Sequence, residues 1–151
     1  MQSKGLQMTI KRLLKDLDLR VRTIKPTALI SEAIIQLARD DTSALVVTDD
    51  NHLVLGILSS SDIVKYLNQN GGPLEQLLVS NLMTHDVISC DATENVERIE
   101  QLMIEHQVRH IPVTRDGKLS AVVNTLDVVR FRMQSAEAEA GQLRNYVSGV
   151  A

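Results

Sequence analysis

The sequence predicts a mixed α/β protein, of the α+β kind, built from two copies of a strand–helix–strand–strand–helix unit with an extra C-terminal helix. Three observations carry this. Gly56-Ile57-Leu58-Ser59-Ser60-Ser61-Asp62 recurs 65 residues later as Ala121-Val122-Val123-Asn124-Thr125-Leu126-Asp127, an apolar run ending in a small polar residue with Asp three positions on. Upstream the match continues at a spacing of 66, with Ala44–Thr48 over His110–Thr114 and Ile30, Ala33 and Leu37 over Val96, Ile99 and Met103. Asn70-Gly71-Gly72-Pro73 then separates the copies.

The elements follow in order. Met8 to Leu17 places Ile10, Leu13, Leu14 and Leu17 on one helical face, so the N-terminal region 1–18 reads as a short amphipathic helix. The first unit, 19–70, opens with a brief strand, Val21 to Ile24, which ends before Pro26. Ile30, Ala33, Ile34, Leu37 and Ala38 form a helical stripe running to about Asp40. Ala44 to Thr48 and Leu53 to Leu58 are β-rich runs joined by Asp-Asp-Asn-His, a hairpin, and a second helix starts near Ser60. A linker and lead-in helix marked by Leu74, Leu77 and Leu78 occupy 71–83. The second unit, 84–132, repeats the order with a strand at Val87 to Ser89, a helix through Val96, Ile99, Leu102 and Met103, and a hairpin about Asp116-Gly117. At under 60 residues each, neither unit buries enough apolar surface alone, so the two should pack on their sheet faces.

The tail, 133–151, differs. Val129, Met133, Ala136, Ala140, Leu143, Val147 and Val150 alternate spacings of 4 and 3, a heptad-like seam. It reads either as a helix folded back on its own unit or as a homodimer helix, and we favour the second.

Composition excludes several classes. A net charge of −3 and only 2% aromatic residues offer neither an electrostatic footprint nor a stacking platform for nucleic acid. No apolar run reaches the ~18 residues of a membrane span, and Met1 to Gln7 lacks a signal-peptide core. A single cysteine, Cys90, suits a reducing compartment, so a cytoplasmic location is expected.

Against this background one resemblance is specific. The duplicated unit resembles a pair of cystathionine-β-synthase (CBS) domains, of the stand-alone bacterial signal-transduction type. Met83-Thr84, Arg109-His110-Ile111-Pro112-Val113 and Gly56-Ile57-Leu58-Ser59-Ser60-Ser61-Asp62 carry the likeness, which covers about Leu17 to Phe131. It implies a pseudo-twofold module with two clefts that hold adenosine compounds (AMP, ADP, ATP, NAD(H) or S-adenosylmethionine), the Gly-x-x-Ser/Thr-x-x-Asp element reading the ribose. Asp62 would accept both ribose hydroxyls, with Ser59 pointing at the same sugar. Gly56 would let a flat base approach the backbone and Ile57 would offer it an apolar face. Arg109 is the leading phosphate ligand, with His110 and Lys25 behind it, and Thr23 completes the expected set. Asp127 would anchor the second cleft, although Ala121 and Asn124 replace the Gly and the hydroxyl there. Both motifs are equally N-terminal capping devices that need no ligand, worth about 1 kcal/mol each.

No catalytic set stands out. His106 and His110 should straddle a helix end, Cys90 lacks a flanking base, and no zinc spacing occurs. The expectation is a non-enzymatic sensor that needs no cofactor, binds an adenosine nucleotide, signals to an unknown protein and forms a homodimer. A structural dimer without ligand is the alternative.

Overall fold

The computed structural model describes residues 9–16, 22–40 and 42–148. Met8, Leu17, Val21 and Val150, each named in an expected element, lie outside them. The first element is helix α1 (Ile10–Asp16), and the first unit comprises β1 (Thr23–Ile24), α2 (Ile30–Arg39), β2 (Ala44–Thr48), β3 (Val54–Ser59) and α3 (Ser60–Asn70). After the linker come α4 (Val79–Leu82), β4 (Cys90–Asp91), α5 (Val96–His106), β5 (His110–Arg115), β6 (Lys118–Asn124) and α6 (Thr125–Val147).

The repeat is physical. Each unit forms a three-stranded sheet in which a short strand pairs parallel to the middle one, itself antiparallel to the third. Register slips in both hairpins at matching places, Val47/Thr48 and Val113/Thr114. The turns need left-handed backbone: His52 (φ 64°) in the first, Asp116 (φ 53°) and Gly117 (φ 78°) in the second. Asp49 supports the first turn, its Oδ1 accepting the amides of Asn51 at 2.8 Å and Leu53 at 3.0 Å. Gly71 ends α3 in the same left-handed region (φ 56°).

Burial follows side-chain alternation. Leu45 and Val47 of β2 enter the first core with Ile30, Ala33 and Leu37 of α2, while Ala44, Val46 and Thr48 on the opposite face are buried too. A strand covered on both faces belongs between two layers, as units stacked on their sheets require. The α2 stripe is narrower than the sequence indicated. Ile34 and Ala38 stay exposed, because a sheet of three short strands covers little more than one row of the helix.

The lead-in helices are exchanged. Ile10 and Leu13 of α1 sit in the second core, with Ile99, Ile111 and Phe131, and the Ile10 amide donates to the Glu94 carbonyl at 3.3 Å. Val79 of α4 sits in the first core, and its amide donates to the Ala28 carbonyl at 2.8 Å. Glu94 and Ala28 are themselves 66 residues apart, so the exchange obeys the repeat. Two expected boundaries move. The lead-in helix covers only Val79–Leu82, with Leu74 and Leu77 packing on the first core as irregular chain, and the strand expected at Val87 to Ser89 pairs only at Cys90–Asp91.

Candidate functional site

A cleft of about 500 Å³ opens where the halves meet, within the size range of small-molecule sites. One wall is Ile57 and Ser59 of β3 with the first turn of α3, Ser60 to Asp62. A second is the irregular stretch holding Thr84, Asp86, Val87 and Ile88, and a third is Gln107 to His110 between α5 and β5. Ser43 and Ala44 also line it.

Local sequence explains each wall. Alternation along β3 sends Leu58 into the core and Ile57 toward the cleft. Ile57 and Thr84 exchange two backbone hydrogen bonds, Ile57 N–H to Thr84 carbonyl at 3.0 Å and Thr84 N–H to Ile57 carbonyl at 2.8 Å, which pin the second wall against the first. Gly56 makes that approach possible: a Cβ there would lie 2.7 Å from Met83 Sδ and 2.8 Å from the Thr84 carbonyl oxygen. The glycine makes room for Met83 and the Thr84 carbonyl, and it is not among the residues that line the cleft.

Asp62 commits only one of its carboxylate oxygens. Its Oδ2 accepts from the Ser59 amide and the Ser59 hydroxyl, both at 2.9 Å, closing the cap of α3. Its Oδ1 has no hydrogen-bond partner among the described residues. The Ser59 hydroxyl, by contrast, is committed: it accepts from the Asp62 amide at 3.3 Å, donates to the Asp62 carboxylate and lies 3.0 Å from Ser61 Oγ. Ser59 lines the cleft without a spare proton to offer a sugar, because the cap consumes it.

Arg109 and His110 come to the cleft from the second unit. Arg109 is exposed and makes no ion pair among the described residues. His110 Nε2 lies 3.1 Å from Ser43 Oγ across the two units. Burial pushes the His110 pKa below 6.5, the Asp127 carboxylate pulls it back up, and the Arg109 guanidinium lowers it further. The imidazole is thus neutral at pH 7. Because its folded pKa is depressed, stability should be full above 6.5 and fall as pH drops below it, where the unfolded chain takes up the proton first. Denaturant titrations at pH 7.5 and 5.5 should show a drop for the wild type that His110→Gln reduces.

Two expected ligands are elsewhere. Thr23 and Lys25 belong to β1 and its end, and β1 lies two strands from β3, roughly 10 Å at sheet spacing. The Thr23 carbonyl accepts from Gln36 Nε2 at 3.0 Å, and Lys25 Nζ pairs with Asp50 at 2.8 Å, lowering that carboxyl's pKa. Asp127 is also outside this cleft. It caps α6 as Asp62 caps α3, its Oδ2 accepting the Asn124 amide at 2.9 Å, and it is only 8% exposed. Thr84, Asp86, Val87 and Ile88 were missed; counting forward from Met83-Thr84 was the one available signal.

Other chemistry finds little support. Cys90 is buried and donates to Glu94 Oε2 at 2.6 Å; burial first, then Glu94, pushes its pKa up to about 12, so it stays a thiol. Among the described residues no three His, Cys, Asp or Glu side chains converge on a metal position, and no helix is long and apolar enough to cross a membrane.

The comparisons with known proteins agree with this geometry. A family model described as "CBS domain" matches twice, at residues 14–69 and 79–134. The chain belongs to the CBS-domain family. The pair is similar to a CBS-domain protein of Agrobacterium tumefaciens, with a TM-score of 0.77 and 32% identity over 87% of this chain and 98% of that one. It is also similar to CBSX2, solved in complex with AMP, with a TM-score of 0.74 and 25% identity over 85% of this chain and 98% of the other. Among curated proteins, a 17.7 kDa protein of Acidianus ambivalens is 28% identical, matching over 86% of this chain and 78% of its own length. The Arabidopsis thaliana protein CBSCBSPB1 is 29% identical over 97% of this chain, which spans only 27% of that protein. Tandem CBS domains with a C-terminal helix, of a regulatory family, are thus established.

Proposed function

We propose that this CBS pair is a non-catalytic sensor whose cleft at Asp62 takes an adenosine compound and passes its occupancy to a separate protein. The observation that carries the reading is that Asp62, whose Oδ1 has no partner among the described residues, lines the same cleft as Arg109, which makes no ion pair among them. A carboxylate oxygen with two lone pairs suits ribose hydroxyls, and Ile57, Val87, Ile88 and Val108 supply apolar walls for a base. Arg109 supplies the cation for a phosphate. The AMP complex of CBSX2 supports this ligand class. A compound held there touches β3 and α3 of one unit and 107–110 of the other, so it favours whichever arrangement brings these together. It shifts that equilibrium only by its differential affinity. A cytoplasmic location suits the thiol of Cys90.

Thermal unfolding with AMP, ADP, ATP, NADH and S-adenosylmethionine tests the reading. A ligand at ~100 times its Kd should add about 2.7 kcal/mol. Asp62→Ala should abolish the gain and Asp127→Ala should keep most of it, each judged against its own ligand-free state because each also loses a cap worth about 1 kcal/mol. No gain with any of the five would leave the second reading, a structural dimer, which the exposed seam of α6 favours. Release of product from a bound nucleotide over a day would overturn the non-catalytic part.

A further inference from the structure

The helix α6 continues well beyond the body it belongs to. Val128 and Phe131 are buried in the second core, but from Gln134 to Val147 only Ser135 and Gly141 are even half-buried. A run of this length is marginal as an isolated helix in water. The seam residues face away from Phe131 and are exposed: Val129 by 45%, Met133 by 59%, Leu143 by 63% and Val147 by 77%, with Ala136 and Ala140 between them.

We propose that this seam is covered by α6 of a second copy, running parallel and in register. The inference rests on the reading that the chain pairs with itself, and flanking charge selects the orientation. With Met133, Ala140 and Val147 at a and Val129, Ala136 and Leu143 at d, the e positions are Arg130, Glu137 and Arg144 and the g positions are Arg132, Glu139 and Tyr146. In a parallel pair each g residue faces the e residue five places on in the other helix. Arg132 then meets Glu137 and Glu139 meets Arg144, opposite signs throughout. Arg132 also binds Glu100 of its own chain, so the Glu139–Arg144 contact is the less encumbered of the two.

The antiparallel arrangement fails on the same residues. Full overlap sets Val129 against Val147, and e then faces e while g faces g. Arg130 would oppose Arg144, Glu137 would oppose Glu137 of the other copy, and Glu139 would oppose Glu139. Like charges in those places disfavour the pairing. The parallel arrangement sets the two modules side by side, second unit near second unit.

Single cysteines in the full-length protein read the orientation directly. Leu143→Cys and, separately, Ala140→Cys should each form a same-residue disulfide under mild oxidation, giving a covalent dimer on non-reducing gels. The wild type should not, since its Cys90 is buried. In the antiparallel register Leu143 lies ten residues from its own copy, about 15 Å along the axis, and opposite Met133. No Leu143→Cys disulfide, with a mixed one on combining Met133→Cys and Leu143→Cys proteins, would overturn the parallel arrangement. A dimer by sedimentation with neither disulfide would overturn it equally, by placing the contact away from the seam. A monomer by sedimentation would end the pairing itself. Glu139→Arg should weaken the dimer about fivefold, and Glu139→Arg with Arg144→Glu should restore it; an unchanged dissociation constant would remove the charge argument.

Discussion

Gly56→Val should lose roughly 2–3 kcal/mol of unfolding free energy and nucleotide binding with it. The added Cβ meets Met83 Sδ at 2.7 Å and the Thr84 carbonyl at 2.8 Å, well inside contact distance. Met83 can swing its thioether aside at little cost. The carbonyl cannot move so cheaply, because Thr84 and Ile57 hold each other through two backbone hydrogen bonds. Valine therefore pushes the segment that lines the cleft away from β3. Urea denaturation gives the stability change, and nucleotide titration of the folded variant gives the binding. If the variant kept both, Gly56 would not be what allows the two walls to meet.

Phe131→Ala should cost about 3–5 kcal/mol, the range for truncating a buried aromatic side chain. Phe131 is the only phenylalanine and is 1% exposed. It joins α6 to Ile10 and Leu13 of α1 in a core assembled from both ends of the chain. The loss should extend to the docking of α1, seen as faster amide exchange across Ile10–Asp16. Leu143→Ala, on the exposed side of the same helix, should change the stability of the isolated chain by less than about 0.5 kcal/mol. A small effect at Phe131 would mean that α6 is anchored by its cap rather than by its packing.

Much of the fold was legible because short-range signals were strong. Period-two runs with polar turns located both hairpins, and the stripes through Ile30 and Val96 located α2 and α5. The exchange of α1 and α4 was not legible, since Leu13 or Val79 announces that it will be buried without saying on which unit. The strand expected at Val87 to Ser89 failed for a related reason. Its apolar residues serve the cleft rather than a ladder, and only Cys90–Asp91 reaches β5.

The candidate site divides along the same line. Asp62, Ile57, Arg109 and His110 were found through the repeat and the family likeness, and they share one cleft. Lys25 was expected as a reserve cation for a phosphate and Thr23 as a further ligand, and the strand order sets β1 two positions from β3. Gly56 was expected to admit a base, and the space it leaves is taken up by Met83 and the Thr84 carbonyl. The cap at Asp62 is present and occupies Oδ2, and since a carboxylate has two oxygens it does not compete with the proposed ligand role.

The most direct measurement is a crystal structure of the protein grown with saturating AMP. A ribose hydroxyl within about 2.6–3.2 Å of Asp62 Oδ1, with the phosphate at Arg109, is the expected result. An empty cleft, or AMP bound elsewhere while Asp62 touches only the cap of α3, would contradict it.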